Sequence, residues 1–286
     1  MQYNGGEAVA HYLSVDVEEY FHVSAFERFV PRESWETMPS RVERSVATLL
    51  EIFENHGAHA TFFTLGWLAH RQPHIVRAIA AAGHEIASHG WDHLRVNAQT
   101  RAAFQKSVRE SRSVLEDISG QQVRGFRAPS FSITRGQEWA LETLVEEGYV
   151  YDSSLFPIHR RGYGYPGVPR DPFTFATPAG PILEFPIATI RVGSMLLPAG
   201  GGGYFRQFPY GWSRRAFVEC EKRHVPATFY LHPWEIDPTQ PRLAVPPLVQ
   251  LRHYRGLHRV QPRLERLLSE FSFTSLGHGL PTLAST

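Results

Sequence analysis

Short apolar runs alternate along this chain with longer amphipathic stretches, a rhythm that predicts strands and helices in turn. "HYLSVDV" reads as a strand, and "SRVERSVATLLEIFENHG" follows it as an amphipathic helix. That helix opens on a capping box of Ser40 and Glu43 and closes on Gly57. "ATFFTLG" is the second strand, and "PHIVRAIAAAG" is a helix with Pro73 in its first turn and Gly83 at its end. "HEIASH" is the third strand, followed by a helix over about 100–118. "VRGFRAP" is the fourth, followed by a helix over 134–148 that Thr134 and Gln137 open as a second capping box. "YVYDSS" and "ILEFPIATIRV" are the fifth and sixth strands. A helix capped by Ser213 then runs towards His224, "ATFYLHP" is the seventh strand, and a last helix covers 263–271.

Seven strands alternating with helices predict an α/β fold of parallel βα units, closed as a barrel or open as a doubly wound sheet. The glycine cluster "PAGGGGYF" at 198–205 opens no helix and lacks dinucleotide-binding spacing, which weighs against a Rossmann reading. Residues 155–180 are rich in Pro, Gly and Arg, and 233–250 hold five prolines; long loops of this kind are usually functional or disordered. No repeat or linker divides the chain. The expectation is one catalytic domain over 1–286, with a C-terminal extension from about 235.

Composition narrows the function classes. The 286 residues are 42% apolar, ample for one sizeable core, and a net charge of +1 leaves no nucleic-acid or membrane footprint. Cys220 is the sole cysteine, so an internal disulfide and thiolate metal sites are both excluded. The start "MQYNGGEAVAH" lacks the basic and apolar regions of a signal peptide, and no apolar run approaches the roughly 18 residues that span a bilayer. A cytoplasmic location is the resulting expectation; the oligomeric state is open.

The polar residues fall at strand ends. The first strand ends with Asp16, Glu18 and Glu19, the third with His89, the fourth with Arg127, the fifth with Asp152 and the seventh with His232. Each has an ordinary reading alone, as a solvated strand end or a satisfied histidine. In a βα barrel, however, all strand C-termini lie on one face, where active sites form. His89 and His93, four apart in "SHGWDH", can converge on one point. Two imidazoles and one carboxylate are the ligand set of hydrolytic zinc sites; a second carboxylate can act as base and a distant histidine as acid.

These residues resemble the polysaccharide deacetylases of carbohydrate esterase family 4, the NodB-homology group, over roughly residues 10–235. "SVDVEE", "SHGWDH", "GFRAPSF", "YDSSLFP" and "FYLHP" are similar to that family's five motifs, in the family's order. "DVEEYFHV", "GGGYFR" and "LHPWEIDP" look more narrowly like deacetylases of exosortase-associated exopolysaccharide gene clusters. The resemblance implies an irregular (β/α)7 barrel that removes N-acetyl groups from N-acetylhexosamine units of an oligo- or polysaccharide. It implies that His89 and His93 bind a divalent metal with one carboxylate of the first motif, zinc by preference, with cobalt, nickel, iron or manganese as alternatives. It also implies Asp16 as general base oriented by Arg127, His232 as general acid, and Asp152 as the group holding His232 in its tautomer. Leu231, Phe131 and Phe156 would shape an apolar slot for the acetyl methyl, and a backbone N–H near Ser130 would serve the oxyanion.

The chain departs from the family pattern in several places. Val17 separates Asp16 from Glu18 where adjacent aspartates are usual; residues two apart on a strand still share a face. The longer Glu18 is therefore expected to reach the metal, with Glu19 facing away. Gly90 replaces a hydroxyl residue, Ser130 stands where an aromatic is usual with Phe131 one place later, and the fourth motif lacks its tryptophan. A cyclic-amide or ureide hydrolase, and a carbohydrate-binding barrel without catalysis, are the competing readings.

Overall fold

Residues 9–160 and 162–280 are described in a computed structural model; the leader expectation falls largely on residues outside that range. The strands are short and apolar because both their faces are covered, as parallel strands require. In chain order they are β1 (His11–Val17), β2 (Thr61–Thr64), β3 (Glu85–Ser88), β4 (Gly125–Phe126) and β5 (Tyr151–Asp152). A hairpin of β6 (Phe173–Thr177) and β7 (Gly180–Glu184) follows, then a separate hairpin of β8 (Thr189–Val192) and β9 (Met195–Pro198), then β10 (Thr228–Leu231) and β11 (Phe273–Thr274). The main sheet runs β10-β1-β2-β3-β4-β5-β7-β6, parallel throughout except for the β6 edge, and β11 pairs with the start of β1.

The sheet curls until its ends meet. Past β7, Ile187 forms a parallel bridge to Thr228 of β10, and the Ala188 N–H donates to the Thr228 carbonyl at 3.0 Å. Seven parallel strands thus make the irregular barrel, closed on one side by this bridge rather than by a full ladder. The sixth predicted strand is the one that divides: β7 ends at Glu184, Pro186 has no N–H for a ladder, and 189–192 pairs with β9 instead. The glycine run does open a helix, contrary to the sequence expectation, and it also closes the wall. Gly200 accepts from the Tyr230 N–H at 2.8 Å, and a Cβ on Gly201 (φ +123°) would lie 1.8 Å from the Tyr230 carbonyl oxygen.

Around the strands pack α1 (Val42–Asn55), α2 (Gly66–Arg71), α3 (Pro73–Ala81), α4 (Arg101–Ser119), α5 (Trp139–Glu146), α6 (Gly202–Gln207), α7 (Tyr210–Lys222), α8 (Pro247–Tyr254) and α9 (Val260–Glu270). Alternation sorts β1: Leu13, Val15 and Val17 join the core shared with the helices, while Tyr12 packs with Phe63, Ala87, Tyr151 and Phe185 inside the barrel. Ser14 and Asp16 continue that inner face upward. No helix among the described residues is long and apolar enough to cross a membrane.

Two helix ends match expectation: the Thr100 hydroxyl accepts from the Ala103 N–H, and α3 starts on Pro73. Three do not. Helix α5 starts at Trp139, after Thr134; Ser213 lies inside α7; and Ser40 does not cap α1. The first turn of α1 is satisfied from the barrel instead. The Glu19 carboxylate accepts from the Arg41 N–H at 3.1 Å, the Val42 N–H at 3.3 Å and the Ser40 hydroxyl. Glu19 faces away from the other two acids, as expected, but it is buried and structural. Glu19→Ala should therefore leave metal binding and turnover intact while costing on the order of 1–2 kcal/mol of stability, the worth of a lost cap. Thermal melts beside a metal assay test this; an unchanged midpoint would show that the cap contributes nothing.

Candidate active site

The C-terminal ends of β1, β3, β4 and β10 bring the charged residues together. Glu18, His89 and His93 are all buried, and one potential ligand atom of each lies within 4.8 Å of the others. Glu18 Oε2 is 2.7 Å from His93 Nε2, and the Trp234 indole donates to Glu18 Oε1 at 3.1 Å. His89 Nδ1 bonds the Arg127 carbonyl at 2.8 Å, which places the proton on Nδ1 and leaves the Nε2 lone pair free. Burial holds His89 down at about 4, a neutral imidazole as a ligand must be. Against burial, which raises it, His93 and His232 keep Glu18 below the ordinary carboxylate value. Two nitrogens and one carboxylate oxygen, oriented by hydrogen bonds behind them, fit a divalent metal with an open position.

Asp16 stands beside this group. Arg127, fully buried, donates from Nη1 to Asp16 Oδ1 at 2.7 Å and to the Ser14 hydroxyl at 2.9 Å, and from Nη2 to the Ser153 hydroxyl at 2.8 Å. Its guanidinium lies 4.2 Å from the Phe63 ring centroid. A charge buried this deeply is stable only with its bonds filled, so Arg127 and Asp16 have little freedom to turn. Across the site, His232 Nε2 is 3.6 Å from Glu18 Oε1 and 3.9 Å from Asp16 Oδ2. Burial lowers the His232 value, but Glu18, Glu235 and Asp16 outweigh it and lift the ring to about 9.

Two expectations are corrected. Asp152 does not hold His232. Directly after β5, Ser153 faces Arg127, so Asp152 points to the opposite side of the strand. There it accepts from the Ser154 hydroxyl at 2.7 Å and shares a buried carboxyl pair with Glu184, with burial pushing both groups up and Glu184 well up. His232 Nδ1 instead meets Glu235 Oε2 at 3.0 Å, and Glu235 Oε1 accepts from Arg206 Nη1 at 3.1 Å. Leu231, likewise, points into the sheet–helix core. Its neighbour Tyr230 joins Phe131 and Phe156 in the apolar cluster beside His232, with Phe131 centroid distances of 5.0 and 5.3 Å to them.

Ser130 is half-buried, and its hydroxyl bonds that of Ser24. Backbone strain concentrates here: of the four described non-glycine residues with positive φ, His93 (59°), Ser130 (56°) and Phe131 (52°) all belong to the site. Glu235 and Arg206 were missed from sequence, as was Trp234. Glu235 had a readable signal, because "HPWE" puts a carboxylate one helical turn after the histidine.

Comparison with known proteins adds two family profiles. Residues 34–144 match "Polysaccharide deacetylase", and 153–280 match "Domain of unknown function (DUF3473)". His89, His93 and Arg127 fall in the first match, His232 and Glu235 in the second. A chitooligosaccharide deacetylase of Sinorhizobium fredii is 27% identical over 154 residues, covering 52% of this chain and 62% of that protein. A peptidoglycan deacetylase of Helicobacter pylori is 27% identical over 113 residues, covering 40% of this chain and 38% of that one. The chain thus spans less than two thirds of the length of these curated relatives. Among solved structures, one assigned as a polysaccharide deacetylase from Mycobacterium smegmatis aligns with TM-score 0.69 at 18% identity, over 100% of this chain and 93% of that one. An allantoinase aligns with TM-score 0.60 at 16% identity, over 96% and 90%. Both likenesses concern the fold.

Proposed function

We propose that the chain is a polysaccharide deacetylase of carbohydrate esterase family 4, whose family model matches residues 34–144, and that it hydrolyses the N-acetyl groups of N-acetylhexosamine units in a polysaccharide, with exopolysaccharide as the destination. The observation that carries the reading is the meeting of a Glu18–His89–His93 group with Asp16 and His232 at one barrel end. A ring-opening amide hydrolase without a complete metal site, or a binding barrel, has no need for all five.

Glu18, His89 and His93 would hold the divalent ion, zinc by the donor set. When bound, the ion supplies a Lewis acid for the amide carbonyl and makes water easier to deprotonate. Asp16, aimed by Arg127, takes the proton of the attacking water. His232 delivers a proton to the departing amine nitrogen. Glu235 fixes His232 with its Nδ1 side occupied, which leaves Nε2 for the substrate, and Arg206 secures Glu235. Phe131, Phe156 and Tyr230 give the acetyl methyl an apolar wall, and the backbone N–H of Ser130 would serve the developing oxyanion. Trp234, Glu235 and His253, from the C-terminal stretch, stack or bond behind these residues, which supports one catalytic unit over 1–286.

The test is acetate release from chitooligosaccharides and other N-acetylated glycans by metal-stripped protein, before and after zinc, cobalt, nickel, iron or manganese is restored. Release that returns with metal is the expected result. A protein that takes up metal but frees acetate from no glycan would overturn the reading.

A further inference from the structure

Away from the reacting group, the outer face of the sheet carries a second pair of acids that the reaction does not use. Ladder register sets Phe126, Asp152, Glu184 and Phe173 side by side across β4, β5, β7 and β6. Ser153 and Phe185, the next residues, turn into the barrel, so this row faces the helices. Asp152 and Glu184, each 0% exposed, thus stand in an apolar layer with a phenylalanine on either side. Helix α5 packs on β7, and the residues it buries are Ala140, Leu141, Thr143 and Leu144, none of them charged. Arg127 draws Glu184 towards its anion, but its guanidinium is spent inside the barrel on Asp16 and two serine hydroxyls.

The pair accepts three bonds, to Asp152 from the Ser154 hydroxyl at 2.7 Å and the Ser154 N–H at 3.0 Å, and to Glu184 Oε1 from the Leu155 N–H at 3.0 Å. Glu184 Oε2 is buried with no donor. A protonated carboxyl fits that place, because its O–H donates to the neighbouring acid. Two carboxylates would face each other there without a cation between them. The bonds lead to the active site. Ser154 Oγ also accepts from the Ala128 N–H at 2.8 Å, next to Arg127. Ser153 meets Arg127 with its carbonyl at 3.2 Å and its hydroxyl at 2.8 Å, and Phe156 of the acetyl wall follows Leu155.

We infer that Asp152 and Glu184 share one proton and act together as positioning residues, clamping 153–156 so that Arg127 aims Asp16 and Phe156 stays in the wall. The effect on rate rests on the deacetylase reading; the shared proton and the clamp do not. Native protein, Glu184→Gln and Glu184→Leu are compared by infrared spectroscopy in heavy water, by hydrogen exchange and by acetate release. Glu184→Gln replaces the shared proton with an amide N–H and keeps an acceptor for Leu155, whereas Glu184→Leu removes both. Thermal melts check folding, and Glu184→Asp, too short for the Leu155 N–H, takes the place of a leucine variant that does not fold.

At about pH 8, where ordinary carboxyl groups are ionised, the native protein should show a protonated-carboxyl band that Glu184→Gln lacks. Glu184→Leu should exchange the amides of 126–131 and 152–158 faster. Its kcat should fall about ten- to hundredfold with KM changed by less than about threefold, and Glu184→Gln should recover most of both losses. A native protein without the band would overturn the shared proton. Native exchange and native kcat in a folded Glu184→Leu would overturn the clamp, as would a Glu184→Gln no better than Glu184→Leu. If band and exchange behave as described but no glycan releases acetate, the pair stands and the activity falls. If acetate is released by a native protein that lacks the band, the activity stands and the pair falls.

Discussion

His89→Ala and His93→Ala are expected to hold no stoichiometric metal and to release no measurable acetate, while keeping a folded barrel. Each removes one of two nitrogen donors from a three-residue group, and the remaining carboxylate and imidazole cannot hold the ion alone. Glu18→Ala should behave in the same way, since its carboxylate lies 2.7 Å from His93 and is braced by Trp234. Asp16→Asn should separate the two properties. Its side chain is bound to Arg127, outside the three-residue group, so metal should remain and activity should be lost. Elemental analysis with acetate release on the four variants decides. Full metal in both histidine variants would remove the site, and an Asp16→Asn protein without metal would exchange the roles of the two acids.

His232→Ala should keep its metal and lose on the order of 10²–10⁴-fold in rate, the usual worth of a positioned proton donor. The ring lies within 3.9 Å of Asp16 and 3.6 Å of Glu18 yet is not one of the three clustered ligands. Glu235→Gln should cost less than His232→Ala, because an amide can still meet Nδ1 but carries no charge to stabilise the protonated ring. Single-turnover acetate release on metal-loaded protein measures both. A His232→Ala enzyme of near-native rate would end this assignment.

Much of the architecture was legible because the βα rhythm is carried by buried runs bounded by proline and glycine. The strand ends put Asp16, Glu18, His89 and His232 on one face, and the four-residue spacing in "SHGWDH" added His93. The two site-residue errors, Asp152 and Leu231, share a cause, which is the phase of short strands. β5 has only two residues, so "YVYDSS" does not reveal which of Asp152 and Ser153 faces inward. The phase of β10 was available: His232 faces the site, so Tyr230 and not Leu231 shares its side. The outward direction of Glu19 was legible but its capping role was not, because its partner is the first turn of a helix more than twenty residues away.

The place of β1 in the sheet sets an order of events for a chain made from its N-terminus. β1 can pair with β2 as soon as residues 61–64 exist, but its other neighbour, β10, is the segment 228–231. Until that segment is synthesised, one edge of a strand destined for the middle of the sheet has no partner. Unpaired apolar edges invite association with other chains, so the nascent protein is most vulnerable during this interval and stands to benefit from a chaperone then. His232 directly follows β10, so the strand that fills this edge of β1 delivers the acid histidine in the same step. Fragments ending before residue 228 should therefore be both inactive and prone to aggregate, even when they carry every metal-binding residue.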